Sequence, residues 1–116
     1  MSASNMHDSG KRQEFSTGAV RDTAEGKGRF DLLSPAALFR WARWMEIGAK
    51  KYDDRNWEKG IPVSRCVDSA MRHLVKYLAG HDDEDHLAAV MFNVAAIMHF
   101  EEHMPEMQDL PKRGKD

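Results

Sequence analysis

An all-α fold is what this sequence predicts, and three observations predict it. Between residues 34 and 103 the apolar residues recur at spacings of three and four, and no strand-like alternation competes with that period. Gly60, Pro62 and Gly80 fall between the periodic segments and divide them into three helices. The last segment, Leu87 to Phe100, is apolar almost all round, broken only by Asn93 and His99, so it reads as a helix enclosed by protein.

Each helix has its own signals. Ser34 followed by Pro35 is an N-cap and a first-turn proline, and Leu38, Trp41, Met45, Gly48 and Tyr52 then form one stripe. The second helix begins around Ser64, after Pro62. Its stripe is Val67, Met71, Leu74 and Leu78, and Gly80 stops it. Asp82, with Asp85 three residues on, resembles a capping box for the third. Two partner helices can hardly cover a third with so little polar surface. The predicted architecture is therefore a helical bundle of three main helices per chain, completed by homo-oligomerisation, most simply a dimer.

At 116 residues the chain has room for one core. Residues 1–16 are expected to be a mobile tail, 17–103 the folded domain, and 104–116, with Pro105, Pro111 and a charged end, a second mobile tail. A formal charge of −2 gives no basic footprint for nucleic acid, so no direct nucleic-acid binding is expected. The lone Cys66 fits a reducing compartment. No apolar run reaches the roughly 18 residues that span a bilayer, and "MSASNMHDSGKRQEFSTG" has no apolar signal-peptide core. A soluble cytoplasmic protein without membrane contact is the expectation.

The connection "KYDDRNWEKGIP", residues 51–62, is unlike an ordinary helix–helix loop, which is short, small and polar. It carries Tyr52, Arg55, Asn56 and Trp57 together. Against the predicted core stand further polar residues. Glu46 has Lys50 at i+4, and Asp68 has Arg72 at i+4. His86 and Asn93 are seven apart on one stripe of the third helix. His73 lies well round the second helix from Asp68, so the two are expected to face different neighbours. Antiparallel pairing brings Glu46, Asp68, Arg72 and Asn93 into one layer. Acidic residues on facing helices can hold a hard divalent cation; the same pairs also read as surface ion pairs.

Four blocks in order, "TGAVRD…GKGRFDLLSP", "EIGAKKYDDRNWEKGIP", "DSAMRHLVKYLAG" and "DEDHLAAVMFN", resemble the MazZ-type dATP/dGTP diphosphohydrolases, phage-associated relatives of the MazG-like all-α NTP pyrophosphatases. The resemblance covers residues 17 to 102. It implies metal-dependent cleavage of dGTP or dATP to the monophosphate and pyrophosphate, in the host cytoplasm where the gene is a phage's. The ExxE and ExxD pattern of the wider superfamily does not stand here in full: Ala49 follows Glu46 at +3, and Arg65 precedes Asp68 at −3.

The resemblance and the residue types together suggest roles. Glu46 and Asp68 are the candidate catalytic and metal-holding acids for Mg²⁺ or Mn²⁺, with the "DDED" acids at 82–85 in reserve and Asp85 the ligand chosen among them. Arg29, Lys50, Lys51, Arg55 and Arg72 are candidates for the triphosphate. Trp57 is placed to stack on a purine or else to cap the bundle. Asn56 or Asn93 would read the base edge, and His73 is a packing histidine or a base. His86 reads as a first-turn residue. Two other functions remain open. The His81-Asp82 dyad suggests an HD-type triphosphohydrolase, and a non-enzymatic helical binding module needs no chemistry at all.

Overall fold

Ser34 caps the first helix as its sequence requires. Its hydroxyl accepts from the Ala37 backbone N–H at 3.2 Å, and Pro35 occupies the first helical position of α1, Pro35–Lys51. The computed structural model describes residues 7–111. The outermost parts of the two expected tails, 1–6 and 112–116, lie outside the described residues. Two further helices follow, α2 at Val63–Leu78 and α3 at His86–His103. The three-helix, all-α expectation holds.

Gly80 ends α2, as expected. With φ of 88° it lets the His81 N–H reach the Lys76 carbonyl and its own N–H reach that of Tyr77, a Schellman stop. The start of α3 differs from the capping box expected at Asp82. The N-cap is Asp85, whose side chain accepts from the Ala88 N–H, so the helix begins three residues later. Asp82 stays in the connecting turn.

Both α1 and α2 pack on α3. Small residues make the close approach possible: Ala88, Ala89 and Ala96 of α3 are buried, as are Val63 and Cys66 of α2. The central cluster is Cys66, Ala96 and Phe100. Trp57, Ile61, Phe92, Ile97, Met104 and Met107 pack around it. The last two fall in the segment read as a C-terminal tail. In that segment Asp109 accepts from the Ser64 backbone N–H at 2.8 Å and from its hydroxyl at 2.6 Å, serving an N-terminus of α2 that has no side-chain cap of its own. Gly60 belongs to the same corner. A Cβ there would lie 2.9 Å from Met104 Cε and Met107 Sδ, and its φ of 109° suits glycine alone.

The expected stripe on α2 does not face this core. Met71, Leu74 and Leu78 are exposed, and the inward face carries Val63, Cys66, Ser69 and His73. The stripe on α1 holds in its middle, where Trp41, Met45 and Gly48 are half-buried with Trp44 beside them, while its two ends, Leu38 and Tyr52, are exposed. The period identified both helices correctly, but it marked apolar surface that the single chain leaves open.

Residues 7–33 form a separate unit. Its two short antiparallel strands, β1 at Arg12–Glu14 and β2 at Val20–Asp22, were not anticipated, because three-residue strands leave no readable alternation. Asp22 ties this unit internally through Ser9, Arg12 and Lys27.

Candidate active site

Because α1 and α2 each rest on α3, a groove of about 830 Å³ opens between them, with Phe92 and Asn93 of α3 in its lining. The loop after α1 closes one end with Asp53, Arg55, Asn56 and Trp57, and the turn before α3 closes the other with Asp83, Glu84 and Asp85. Between these ends run Lys51 of α1 and Arg65, Asp68, Ser69, Arg72 and His73 of α2.

At the loop end Trp57 is half-buried. Its ring meets His99 edge-on at 4.8 Å, Phe92 at 6.0 Å and Phe100 at 6.1 Å. This packing makes it part of the bundle end and a wall of the groove at once. Arg55 has φ of 58°, the left-handed region, which costs a residue with a side chain on the order of 1–2 kcal/mol. Its guanidinium pairs with Glu58 and is largely exposed.

In mid-groove, Asp68 is 68% exposed and pairs with Arg72 at 2.7 Å. Asn93 is buried, and its amide donates to the Ala89 carbonyl at 2.8 Å and the Ser69 hydroxyl at 3.3 Å. These bonds satisfy the N–H donors of the buried amide from within the chain. Ser69, next to Asp68, thus meets Asn93 much as the expected layer required.

The turn end is crowded with titratable groups. His73 Nδ1 lies 2.9 Å from His86 Nδ1, and Trp44 packs edge-on to the His73 ring at 5.8 Å. Burial pushes the His73 imidazole pKa down, against the opposing pull of Glu84. Asp83 accepts from His86 Nε2 at 2.9 Å, and this hydrogen bond holds its carboxyl below the usual range. His73, Glu84 and His86 together form a group that can hold a metal ion. Asp85 is otherwise engaged. Arg40 makes a bidentate pair with it at 2.7 and 2.9 Å, lowering its pKa, while it also caps α3.

The groove therefore gathers Asp68, Asp85, Lys51, Arg55, Asn56, Trp57, Arg72, His73 and Asn93 of the expected residues. Glu46 and Lys50 are not in its lining; they pair with each other at 3.7 Å, and Glu46 is 66% exposed. Arg29 belongs to the N-terminal unit, where it makes a bidentate pair with Asp31 at 2.8 Å. His73 and Asp68 share the groove in spite of their different headings on α2. Of the reserve acids at 82–85, Asp83 and Glu84 line the groove beside Asp85, and what was missed is the meeting of His86 with His73. His86 is a first-turn residue as read, the first of α3 after the Asp85 cap, with its Nδ1 facing that of His73. The His81-Asp82 dyad lies in the exposed turn.

A family model described as dATP/dGTP diphosphohydrolase, N-terminal, matches residues 17–110. The chain belongs to this family. A protein of Salmonella phage PMBT28, described as a dATP/dGTP diphosphohydrolase, is 31% identical over 61 residues, which is 53% of this chain and 21% of that protein. The match thus spans about a fifth of that relative's length. No solved structure matches the chain. The whole groove falls inside the matched segment, as does the hairpin strand β2. Among the described residues, no helix is long and apolar enough to cross a membrane.

Proposed function

We propose that the groove binds a purine deoxynucleoside triphosphate, dGTP or dATP, and hydrolyses it between the α- and β-phosphorus to the monophosphate and pyrophosphate. One observation carries this reading: a single groove brings an aromatic wall, two side-chain amides, four cations and several carboxylates together in a family described by that activity. Trp57 offers an aromatic wall for the base, and the Asn56 amide and the amide oxygen of Asn93 would select it. Lys51, Arg55, Arg65 and Arg72 neutralise the triphosphate, the arginines through paired N–H donors.

The oxygen donors of the groove suit Mg²⁺ or Mn²⁺. Asp68 is the mid-groove carboxylate for the ion, with Oδ2 on Arg72 and Oδ1 available as a ligand. When bound, such an ion would neutralise phosphate charge and activate the attacking water. Asp85 would have to release Arg40 and its capping bond to join it. Glu46 is outside the lining of this chain's own groove, and one route for it into a site is from a second copy of the chain in a homo-oligomer. The exposed apolar residues of α2, with Val94 and Met98 of α3, favour such a homo-oligomer. A host-cytoplasmic setting is consistent with the phage relative's name.

The test is to incubate the protein with each deoxynucleotide and Mg²⁺ or Mn²⁺ and to separate the products. Monophosphate and pyrophosphate are expected. Nucleoside and triphosphate would return the HD-type reaction, and no turnover of any nucleotide would leave a binding module.

A further inference from the structure

We propose that His73, Glu84 and His86 form a separate binding site for a borderline divalent transition ion such as Zn²⁺ or Co²⁺, distinct from the Mg²⁺ or Mn²⁺ of the nucleotide reaction. Two imidazoles are pressed together with Nδ1 facing Nδ1 at 2.9 Å. His86 is 1% exposed and His73 12%, so neither pair of ring nitrogens is simply bathed in water. Glu84 Oε1 lies 3.7 Å from His73 Nδ1 and 4.0 Å from His86 Nδ1, completing a triangle of donors.

The geometry fits one ion. Ligands about 2 Å from a metal sit roughly 3 Å apart when they are neighbours in its coordination shell. The two nitrogens already have that separation, and Glu84, on an exposed turn, needs to close by less than about 1 Å. The protonation pattern fits as well. Asp83 can only accept, so the His86 ring carries its proton on Nε2 and presents a bare Nδ1 to the triangle. A carboxylate behind a histidine is the usual way to fix a ligating ring. His73 joins by taking its Nε2–H tautomer, and the ion replaces the single proton that now bridges the two nitrogens. Burial also lowers the His73 pKa, which favours the neutral ring that can ligate.

Two nitrogens and one oxygen select against Mg²⁺, which prefers oxygen and holds its waters. Three protein ligands leave a coordination position free, and both His73 and Glu84 lie on the groove. Such an ion would also clip α2 to the first residue of α3 across the intervening turn, so binding would stabilise the fold.

The experiment is a Co²⁺ titration of tag-free, metal-stripped protein in the presence of millimolar Mg²⁺, read by visible absorption, with thermal melts alongside. One Co²⁺ per chain is expected, with bands of a low-coordinate nitrogen–oxygen site and a rise in melting temperature of about 5 °C or more at saturation. His73→Gln and Glu84→Gln should each lose at least tenfold in affinity. Asp83→Asn, behind the ligand, should lose about 10- to 100-fold, whereas Asp68→Asn should bind like wild type. No bands, or equal binding by wild type, His73→Gln and Glu84→Gln, would overturn the site. Either negative leaves the products of the dGTP assay with Mg²⁺ untouched, so the two proposals fail separately.

Discussion

The two ends of the groove are built from opposite materials. At the loop end Trp57 is held by Phe92, His99 and Phe100, so a flat apolar wall is fixed by the same packing that closes the core. At the turn end a single indole, Trp44, packs edge-on to the His73 ring, and the rest is polar. His73, Asp83, Glu84, Asp85 and His86 instead satisfy one another and Arg40 through hydrogen bonds and ion pairs. Apolar packing gives one end shape, while paired charges give the other chemistry. A nucleotide has the same division, with a base that stacks and a triphosphate that needs cations, and Lys51, Arg65, Arg72 and Asp68 lie along the way between the ends.

The difference can be broken by substitution. The largest effect is expected from Asp68→Asn, which removes the charge a hard cation needs at mid-groove. Turnover of dGTP should fall at least about a hundredfold, with a nearly unchanged melting temperature, because the pair with Arg72 is exposed. Steady-state rates beside thermal melts check both halves, and full activity would move the metal away from this residue.

Trp57→Ala should act on binding and stability together. Loss of a stacking face is worth roughly 1–3 kcal/mol per base, so calorimetry should show both dGMP and non-hydrolysable dGTP binding about five- to a hundredfold more weakly. The melt should also drop by several degrees, since the ring packs on the core. A destabilised protein with unchanged affinity would reduce Trp57 to a cap over the bundle end.

Arg55→Gly sharpens the comparison from the same loop. Glycine accepts the left-handed backbone at position 55, so the melting temperature should hold or rise while dGTP binding weakens about tenfold more than dGMP binding. A uniform loss for both nucleotides would place Arg55 at the base instead of the phosphates. The smallest effect is expected from Glu46→Gln. If the groove of one chain suffices, activity stays within about twofold, because Glu46 meets only Lys50 on an exposed face. A loss as deep as that of Asp68→Asn would mean that Glu46 reaches the site from a second copy.

How far the sequence could be read depends on which physical signal each element carries. Helix existence was legible because the period of three to four, Ser34-Pro35 and Gly80 are local signals that the backbone itself obeys. Which face turns inward was not legible. On α2 the apolar side of Met71, Leu74 and Leu78 faces out, and a mixed side of Cys66, Ser69 and His73 faces α3. A hydrophobic stripe marks what must be buried somewhere, whether under this chain or under a partner. Most of the mid-groove set followed from antiparallel register alone, which is why Asp68, Arg72 and Asn93 fell together. The histidine cluster escaped because it hangs on a cap: Asp82 and Asp85 are equally good N-caps on paper, and only the packed turn chooses between them.

The most direct test of the groove as the nucleotide site uses the three tryptophans as reporters. Trp44 and Trp57 line it, whereas Trp41 of the same bundle does not. In an amide-and-indole NMR titration with non-hydrolysable dGTP and Mg²⁺, the Trp44 and Trp57 indole signals should shift and saturate together, along with the Asn93 side-chain amide, while the Trp41 indole stays in place. Saturable binding that leaves Trp44, Trp57 and Asn93 unmoved would put the nucleotide elsewhere and contradict the account.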